Sequence, residues 1–286
     1  MSTNITTQSQ DGLRLFARAW GPEDSAEPPV VCLPGLTRNS RDFDRLASHL
    51  SDRAGPARRV MALDYRGRGG SGRDPDWRNY ALPVEQADIL ALLGYAGIDH
   101  ADFIGTSRGG LHIMMLAASR PGLIRKAVLN DIGPVIEAQG LKRIATTVGF
   151  KPPNASWDVA AQALRREQGA IFPKLTGPDW LEYARQIFRE QDRTIFADYD
   201  PALGKTLEDL DFSSPPPPLW ELFAALEGMP VMVVRGALSD ILSEATVCGM
   251  EARHSRFSHL AVPDQGHAPL LWDTPTLQAL AAFLAA

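Results

Sequence analysis

The sequence predicts an α/β fold: a mostly parallel sheet between layers of helices, with a helical segment inserted between two strands. Short apolar runs alternate with helical patterns in the first half of the chain and again near its end, which is typical of parallel sheets. Between these regions lies a stretch in which the alternation stops. The length of 286 residues suits one α/β core with an insertion, and 44% hydrophobic residues suffice for a large buried core.

Six apolar runs predict the main strands of the sheet. The four in the first 130 residues are apolar on both faces and each is followed by a helical pattern, as in buried parallel strands joined by crossover helices. The runs are Val30 to Leu33, Val60 to Leu63, Phe103 to Gly105, Ala127 to Leu129, Val231 to Val234 and Phe257 to Val262. Helices are predicted at Pro83 to Gly97, Gly109 to about Ser119 and Glu244 to Ala252, and from about Pro275 onward.

The inserted segment is predicted to be helical. One helix face is predicted at Trp157, Ala160, Ala161 and Leu164, and a second at Trp180, Ala184, Ile187 and Phe188. Ser213-Ser214 and the four prolines that follow predict a stiff, non-helical return to the sheet. We therefore expect a helical cap, or lid, at residues 135–218 and a core domain made of residues 1–134 and 219–286.

Charge and hydropathy exclude several partners. The net charge of -5 comes with no basic tract that could follow a phosphate backbone, so a nucleic-acid partner is not expected. The N-terminal MSTNITTQSQ lacks the apolar core of a signal peptide, and no run approaches the roughly 20 apolar residues of a membrane span. We expect a cytoplasmic protein with a small-molecule substrate and no membrane partner; a homo-oligomer stays open.

The clearest motif is G-x-S-x-G at Gly105-Thr106-Ser107-Arg108-Gly109, where a predicted strand meets a predicted helix. Glycines on both sides allow the tight turn that such a junction needs, because they remove Cβ atoms that would clash. The turn would project the Ser107 hydroxyl above the sheet at a helix N-terminus, where backbone N–H groups favour a developing anion. This context predicts that Ser107 is a nucleophile.

Two further segments supply parts that a serine nucleophile requires. The turn Leu33-Pro34-Gly35-Leu36 follows the first buried strand, so the N–H of Leu36 is expected to form an oxyanion hole with the N–H of Arg108. Gly266-His267-Ala268 follows the last strand, at the edge of the sheet where ligands of open α/β sheets bind. His267 is therefore the predicted general base.

Two aspartates are candidates for the acid that orients His267. Asp240 follows the strand Val231 to Val234, and Asp131 ends the strand before the inserted segment. Both obey the chain order Ser, Asp, His, and both are expected at the same edge of the sheet. We expect Asp240 to be the acid and Asp131 to fix the hinge of the cap, with Asp131 kept as the alternative.

Together these motifs resemble those of capped bacterial members of the α/β-hydrolase family. Asp64-Tyr65-Arg66-Gly67-Arg68-Gly69-Gly70-Ser71 adds to the resemblance, being similar to that family's turn after its fourth strand. The resemblance implies hydrolysis of a small or medium carboxylic ester or a lactone, through an acyl-enzyme on Ser107, without a metal or organic cofactor. A serine at this turn excludes the alkyl-enzyme chemistry of relatives that carry aspartate there.

Three residues are candidates for contact with the substrate. Arg38 could bind a substrate carboxylate or pair with a nearby aspartate, and Trp157 and Trp180 could line an apolar pocket or pack the cap. The alternatives left open are a carbon-carbon bond hydrolase of ring-cleavage products, a cofactor-free perhydrolase or haloperoxidase, and a non-catalytic ligand receptor.

Overall fold

The computed structural model describes residues 2–52, 57–208, 210–211 and 216–286; Ser213, Ser214 and Pro215 lie outside these ranges. The strands are β1 (Thr3–Gln8), β2 (Arg14–Trp20), β3 (Val30–Leu33), β4 (Val60–Asp64), β5 (Ala101–Thr106), β6 (Ile124–Asn130), β7 (Phe188–Gln191), β8 (Thr194–Ala197), β9 (Val231–Gly236) and β10 (Phe257–Val262). Eight of them form one sheet in the order β1-β2-β4-β3-β5-β6-β9-β10.

Ten α-helices accompany these strands in the described ranges. They are α1 (Asp44–Ser51), α2 (Leu82–Tyr95), α3 (Arg108–Ser119), α4 (Ala138–Thr147), α5 (Trp157–Gln168), α6 (Gly177–Ile187), α7 (Lys205–Glu208), α8 (Trp220–Ala224), α9 (Glu244–Glu251) and α10 (Thr274–Ala285). Within the described part of the chain, every helix is too short or too polar to span a lipid bilayer.

The sheet confirms the predicted α/β class with a mostly parallel sheet. Within this eight-stranded sheet, the pairings β4-β3, β3-β5, β5-β6, β6-β9 and β9-β10 are all parallel, and each of the six predicted runs lies in one of its strands. The strands β1 and β2 were not predicted; they pair antiparallel with each other, and β2 also pairs antiparallel with β4. β1 is an edge strand that is largely exposed and polar, so it lacks the apolar run on which the prediction depended.

Both faces of the sheet are covered because the strand residues alternate in direction. Val31 and Leu33 face the layer that contains α2, α3, α8 and α9. Val30 and Cys32 face the opposite layer, which contains α1 and α10. A strand buried on both faces must be apolar at consecutive positions, which explains the continuous apolar runs in the sequence.

The segment between β6 and β9 contains α4 to α7 and, unexpectedly, a two-stranded antiparallel sheet of β7 and β8. The predicted helical face extended to Phe188, but α6 ends at Ile187 and Phe188 begins β7. Asp192 and Arg193 both have positive φ, 50° and 60°, as in the two-residue turns that match the twist of a hairpin. Asp-Arg is a weak signal for such a turn, so the hairpin was not recognised.

The order of the strands brings the predicted functional loops together. β3, β5, β6, β9 and β10 are consecutive neighbours and run parallel. Their carboxyl ends therefore meet along one edge of the sheet, where the segments that follow each strand can contact one another.

Candidate active site

Ser107 lies in a sharp turn between β5 and α3, as predicted. Its φ of 52° and ψ of -112° form a backbone conformation that residues other than glycine rarely adopt. Glycine is required on both sides of the turn, because a Cβ at Gly105 would lie 2.4 Å from a backbone atom of Gly109, and one at Gly109 would lie 2.1 Å from the carbonyl oxygen of Leu33. The close approach of strand, turn and helix thus holds the hydroxyl at the carboxyl edge of the sheet.

His267 lies beside this serine. Its Nε2 is 2.9 Å from the Oγ of Ser107, and its Nδ1 is 2.8 Å from the Oδ2 of Asp131. The loop that carries His267 is held near Ser107 by Asn130, whose side-chain amide donates to the carbonyl of Pro269 and to the hydroxyl of Thr106. Serine, imidazole and carboxylate therefore form one continuous chain of hydrogen bonds.

Asp131 is fully buried at the end of β6, and three donors surround its carboxylate. Oδ1 accepts from the backbone N–H of Gly236 at 2.8 Å, and Oδ2 accepts from the hydroxyl of Ser239 at 2.6 Å as well as facing His267. Because both oxygens are engaged, the carboxylate has one orientation, and the acceptor that faces the imidazole is fixed.

Asp240 does not contact His267, which corrects the expected assignment of the acid. Its carboxylate accepts two hydrogen bonds from Arg143 of α4, at 2.6 and 2.7 Å. Burial alone would raise the pKa of Asp240, but the paired guanidinium group holds that pKa below its usual value. In the loop after β9 it is Ser239, one residue earlier, that contacts Asp131, and it does so by donating a hydrogen bond to Oδ2.

The two predicted oxyanion-hole residues, Leu36 and Arg108, lie close to Ser107. Gly35 is so close to Ser107 that a Cβ added there would be 3.9 Å from the serine Cβ. Within the described ranges, the backbone N–H groups of Leu36 and Arg108 donate to no protein acceptor. Both groups are thus free to donate to an oxygen of a bound substrate.

A cleft with a volume of about 160 Å³ opens above Ser107 and His267. Its apolar wall includes Leu36 from the core and Ile144, Val148, Leu164 and Ile187 from the inserted segment. Its charged lining consists of Arg38, Asp42, Arg143, Lys151 and Glu167. The cleft is therefore amphipathic, with three cationic and two anionic side chains in its wall.

The cationic side chains of the cleft are paired with carboxylates. Arg38, the predicted carboxylate ligand, lines the cleft but donates two hydrogen bonds to Asp42, at 2.8 and 2.6 Å, and lies over the ring of Tyr183. Lys151 lies 2.9 Å from both carboxylate oxygens of Glu167. The structure thus gives Arg38 the aspartate pairing that the sequence left as an alternative.

Neither of the tryptophans proposed as substrate contacts is among the described residues that line the cleft. Trp180 is 2% exposed and packs with Phe172 and Tyr183 inside the inserted segment. Trp157 donates its indole N–H to Glu190 and carries the guanidinium group of Arg185 over its ring. Their helical spacing reflects packing of the segment, so both assignments as substrate-binding residues are corrected.

Two residues of the site, Ser239 and Arg143, were not predicted. Ser239 stands beside the aspartate that was chosen, so nothing in the linear pattern distinguishes the two. Arg143 follows Lys142 on an amphipathic helix, and such charges ordinarily belong to a solvated face. Only the packing of α4 against the loop after β9, where a Cβ at Gly140 would lie 2.3 Å from the carbonyl oxygen of Asp240, brings Arg143 to the cleft.

Comparison with known proteins agrees with this fold. A family model described as alpha/beta hydrolase fold matches residues 28–274. The chain is 35% identical over 268 residues to a 3-hydroxybutyrate-oligomer hydrolase of Cupriavidus necator, covering 91% of this chain and 89% of that protein. It is also 35% identical over 112 residues to the sn-1-specific diacylglycerol lipase ABHD11 of Mus musculus, covering 39% of this chain and 35% of that protein.

Among solved structures, an alpha/beta hydrolase from Novosphingobium aromaticivorans is similar over nearly the whole chain. The TM-score is 0.91 at 38% sequence identity, and the match covers 99% of this chain and 98% of the other. The family model and the names of these relatives support a hydrolase activity.

Proposed function

Because the chain belongs to the α/β-hydrolase family, we propose that it is a serine hydrolase that cleaves carboxylic esters through an acyl-enzyme on Ser107. The observation that carries the proposal is the unbroken hydrogen-bonded series from Ser107 through His267 to Asp131, at 2.9 and 2.8 Å. Asp131, and not Asp240, is the proposed acid.

In the first half of the reaction, Nε2 of His267 accepts the proton of the Ser107 hydroxyl while Oγ attacks the ester carbonyl carbon. The carbonyl oxygen becomes an oxyanion that accepts hydrogen bonds from the N–H groups of Leu36 and Arg108. His267 then gives its proton to the departing alcohol, and the acyl group stays on Ser107. Asp131 accepts a hydrogen bond from Nδ1 throughout, which keeps the imidazole in the productive tautomer.

The second half repeats the same steps with water. His267 removes a proton from a water molecule, which attacks the acyl-enzyme carbonyl, and the same two N–H groups stabilise the second oxyanion. Return of the proton to Oγ of Ser107 releases the carboxylic acid. Apart from this water, each step uses groups that the chain itself supplies.

For the substrate, we propose short esters of hydroxy acids that end in a free carboxylate. A relative that matches over most of both chains is named for hydrolysis of 3-hydroxybutyrate oligomers, which combine apolar methyl branches, internal esters and a terminal acid. The lining of the cleft above Ser107 contains apolar side chains together with the cationic side chains of Arg143 and Lys151. We propose that the cap, residues 135–218, selects the substrate through this lining.

The test combines active-site labelling with a substrate panel. The wild-type protein is expected to react with a fluorophosphonate probe, and Ser107→Ala is expected to lose both labelling and hydrolysis while keeping its circular dichroism spectrum. The panel contains 3-hydroxybutyrate dimer and trimer, 4-nitrophenyl butyrate, a γ-lactone, a vinylogous keto acid, and peroxide with a carboxylic acid. Labelling that persists in Ser107→Ala would show that Ser107 is not the nucleophile.

The panel also separates the alternatives. Cleavage of the vinylogous keto acid without ester cleavage indicates carbon-carbon bond hydrolysis, and activity only with peroxide indicates a perhydrolase. A protein that binds ligands but is neither labelled nor active is a receptor. We expect the 3-hydroxybutyrate oligomers to give the highest kcat/KM, with release of 3-hydroxybutyrate detected by mass spectrometry.

A further inference from the structure

A cluster of charged side chains is buried behind the two proposed oxyanion-hole peptides. Glu85, on α2, is 0% exposed and lies at its centre. Its Oε1 is 2.7 Å from Nη1 of Arg68, and its Oε2 accepts from Nε of Arg108 at 2.6 Å. The ring of His112, also 0% exposed, places Nε2 3.1 Å from the same Oε2. The mechanism described above uses none of these side chains directly.

Arg68, which we call the first arm of the cluster, contacts the turn that carries the N–H of Leu36. Arg68 donates from Nε to the carbonyl oxygen of Leu36 at 2.7 Å. The hydroxyl of Tyr65 donates to the carbonyl of Pro34, and the N–H of Arg38 donates to the carbonyl of Gly35. The carbonyls of Pro34, Gly35 and Leu36 thus each accept a hydrogen bond. Together these bonds fix the plane of the peptide between Gly35 and Leu36. The N–H of Leu36 remains free to face the cleft.

Arg108, the second arm, is the first residue of α3 and carries the other proposed oxyanion-hole N–H. The guanidinium group of Arg108 is held by Glu85 and also donates from Nη2 to the carbonyl of Tyr80 at 3.2 Å. Arg108 is not among the described residues whose side chains line the cleft. Its side chain is therefore held away from the cleft, while its backbone N–H, next to Ser107, has no backbone acceptor within the described residues.

The charge of Glu85 is needed for both arms. Burial alone would raise the pKa of Glu85, but the guanidinium groups of Arg68 and Arg108 hold that pKa well below its usual value, so the group is a carboxylate at neutral pH. The carboxylate accepts a hydrogen bond from Arg108 on Oε2 and forms an ion pair with Arg68 at Oε1. A glutamine amide carries no net charge, and its NH2 group would repel the donors of one of the two guanidinium groups. Neutralising Glu85 therefore breaks its contact with Arg68, with Arg108, or with both.

We propose that Glu85, through Arg68 and Arg108, is a positioning residue that fixes the two oxyanion-hole N–H groups relative to each other. The inference rests on the proposed serine-hydrolase function and deepens it. The oxyanion forms only during the reaction, and donors act on it best when they need no reorganisation at that moment. Loosening the cluster should thus weaken binding of the transition state and leave binding of the substrate nearly unchanged.

The test compares Glu85→Gln with Asp88→Asn, a matched control on the same helix. Asp88 is 2% exposed and pairs with buried Arg66 at 2.6 and 2.8 Å, but Arg66 makes its further side-chain bonds to Asp11 and Asp74 and not to the oxyanion turn. Both variants neutralise a buried carboxylate that is paired with arginine. Only Glu85→Gln removes the carboxylate through which Arg68, bound to the carbonyl of Leu36, is joined to Arg108.

Three quantities are measured on folded protein: kcat and KM with 4-nitrophenyl butyrate, the rate constant of fluorophosphonate labelling, and the inhibition constant of phenylboronic acid. The boronate forms a tetrahedral adduct with the serine and places an oxygen in the oxyanion hole. In Glu85→Gln we expect kcat and the labelling rate to fall at least tenfold, KM to stay within twofold, and the boronate constant to rise with the fall in kcat. Asp88→Asn should change all of these less than threefold.

A second variant decides the question if Glu85→Gln does not fold. Arg108→Met keeps the backbone N–H and removes the guanidinium group of a side chain that is 15% exposed. We expect the same loss of kcat and boronate affinity with unchanged KM. Unchanged kcat in either folded variant, or equal losses in Glu85→Gln and Asp88→Asn, would overturn the inference. Absence of labelling in the wild-type protein would instead overturn the proposed function.

Discussion

Arg143 and Asp240 are joined by two parallel hydrogen bonds, of 2.6 and 2.7 Å, that connect α4 of the inserted segment to the loop after β9. Both side chains are about one-third exposed, and Arg143 lines the cleft above the nucleophile. Asp240 thus holds a cationic wall of the cleft in place, while the orientation of His267 is left to Asp131. These two aspartates should therefore respond differently to the same substitution.

Asp131→Asn should lower kcat by about four orders of magnitude, because an amide facing Nδ1 favours the wrong tautomer of the imidazole. Asp240→Asn should change kcat with 4-nitrophenyl butyrate less than threefold, because Asp240 does not contact His267. Steady-state kinetics on both purified variants, with thermal unfolding as the control for folding, measure the contrast. A larger loss of kcat in Asp240→Asn than in Asp131→Asn would indicate that Asp240, in the loop after β9, is the acid.

The sequence predicted that Ser107 and His267 lie together, as they do in the structure, but of two aspartates it favoured the one that does not face His267, and the reason is geometric. Asp131 and Asp240 both follow strands that end at the same edge of the sheet, and both lie between Ser107 and His267 in the chain. What distinguishes them is the path of each loop after its strand. Ser239 donates to Asp131, and Arg143 engages Asp240; both contacts are long-range packing that linear spacing does not encode.

The same limit applies to the fold. The strand β3, buried on both faces, was predicted with its observed bounds, because a short, wholly apolar run between turn residues is typical of a buried strand. The hairpin of β7 and β8 was missed, because its strands have four residues each and its turn is Asp192-Arg193. Glu85 was overlooked although a carboxylate on the buried face of an apolar helix is a signal that a paired cation lies nearby.

Ser239→Ala should lower kcat by about threefold to tenfold and stability by about 1 kcal/mol. The hydroxyl of Ser239 donates to Asp131 at 2.6 Å and accepts from the N–H groups of Ile241 and Leu242 at 3.2 and 3.1 Å. Its loss leaves the carboxylate with one fewer orienting donor and the loop with two unpaired N–H groups. Kinetics and urea unfolding measure the two effects, and Ser239→Thr, which retains the hydroxyl, should recover most of both.

Glu85 should also make stability depend on pH in the acid range. Since the pKa of Glu85 is lowered in the folded protein, its ionisation stabilises the fold above the ordinary value of 4.5, and that contribution is lost as the pH falls from there toward the folded-state pKa. Breaking this buried pair in Glu85→Gln should cost about 3 to 5 kcal/mol at pH 7. Urea unfolding at pH 7, 5 and 3.5 should show the gap between wild type and variant narrowing below pH 4.5. A gap that is constant or widens on acidification contradicts this prediction.

Arg143 and Asp240 together should set the preference for substrates that carry a carboxylate. In Asp240→Asn the guanidinium group of Arg143 is released from its anionic partner, so its positive charge becomes available to the cleft. KM for the free acid of the 3-hydroxybutyrate dimer should then fall. Arg143→Met should raise that KM about tenfold, which corresponds to about 1.4 kcal/mol. Neither substitution should change KM for the methyl ester of the same dimer by more than twofold, because the ester carries no charge.

Two controls separate this effect from repulsion by an unpaired Asp240 and from general damage to the inserted segment. The double variant Arg143→Met, Asp240→Asn has neither charge, so its KM for the acid should remain above that of the wild type. Arg185→Met removes an arginine of α6 that lies over Trp157 and is not among the described residues lining the cleft, and it should leave both KM values unchanged.

If the double variant binds the acid as well as the wild type does, Arg143 has no role in binding the carboxylate. The increase seen in Arg143→Met would then come from the exposed charge of Asp240.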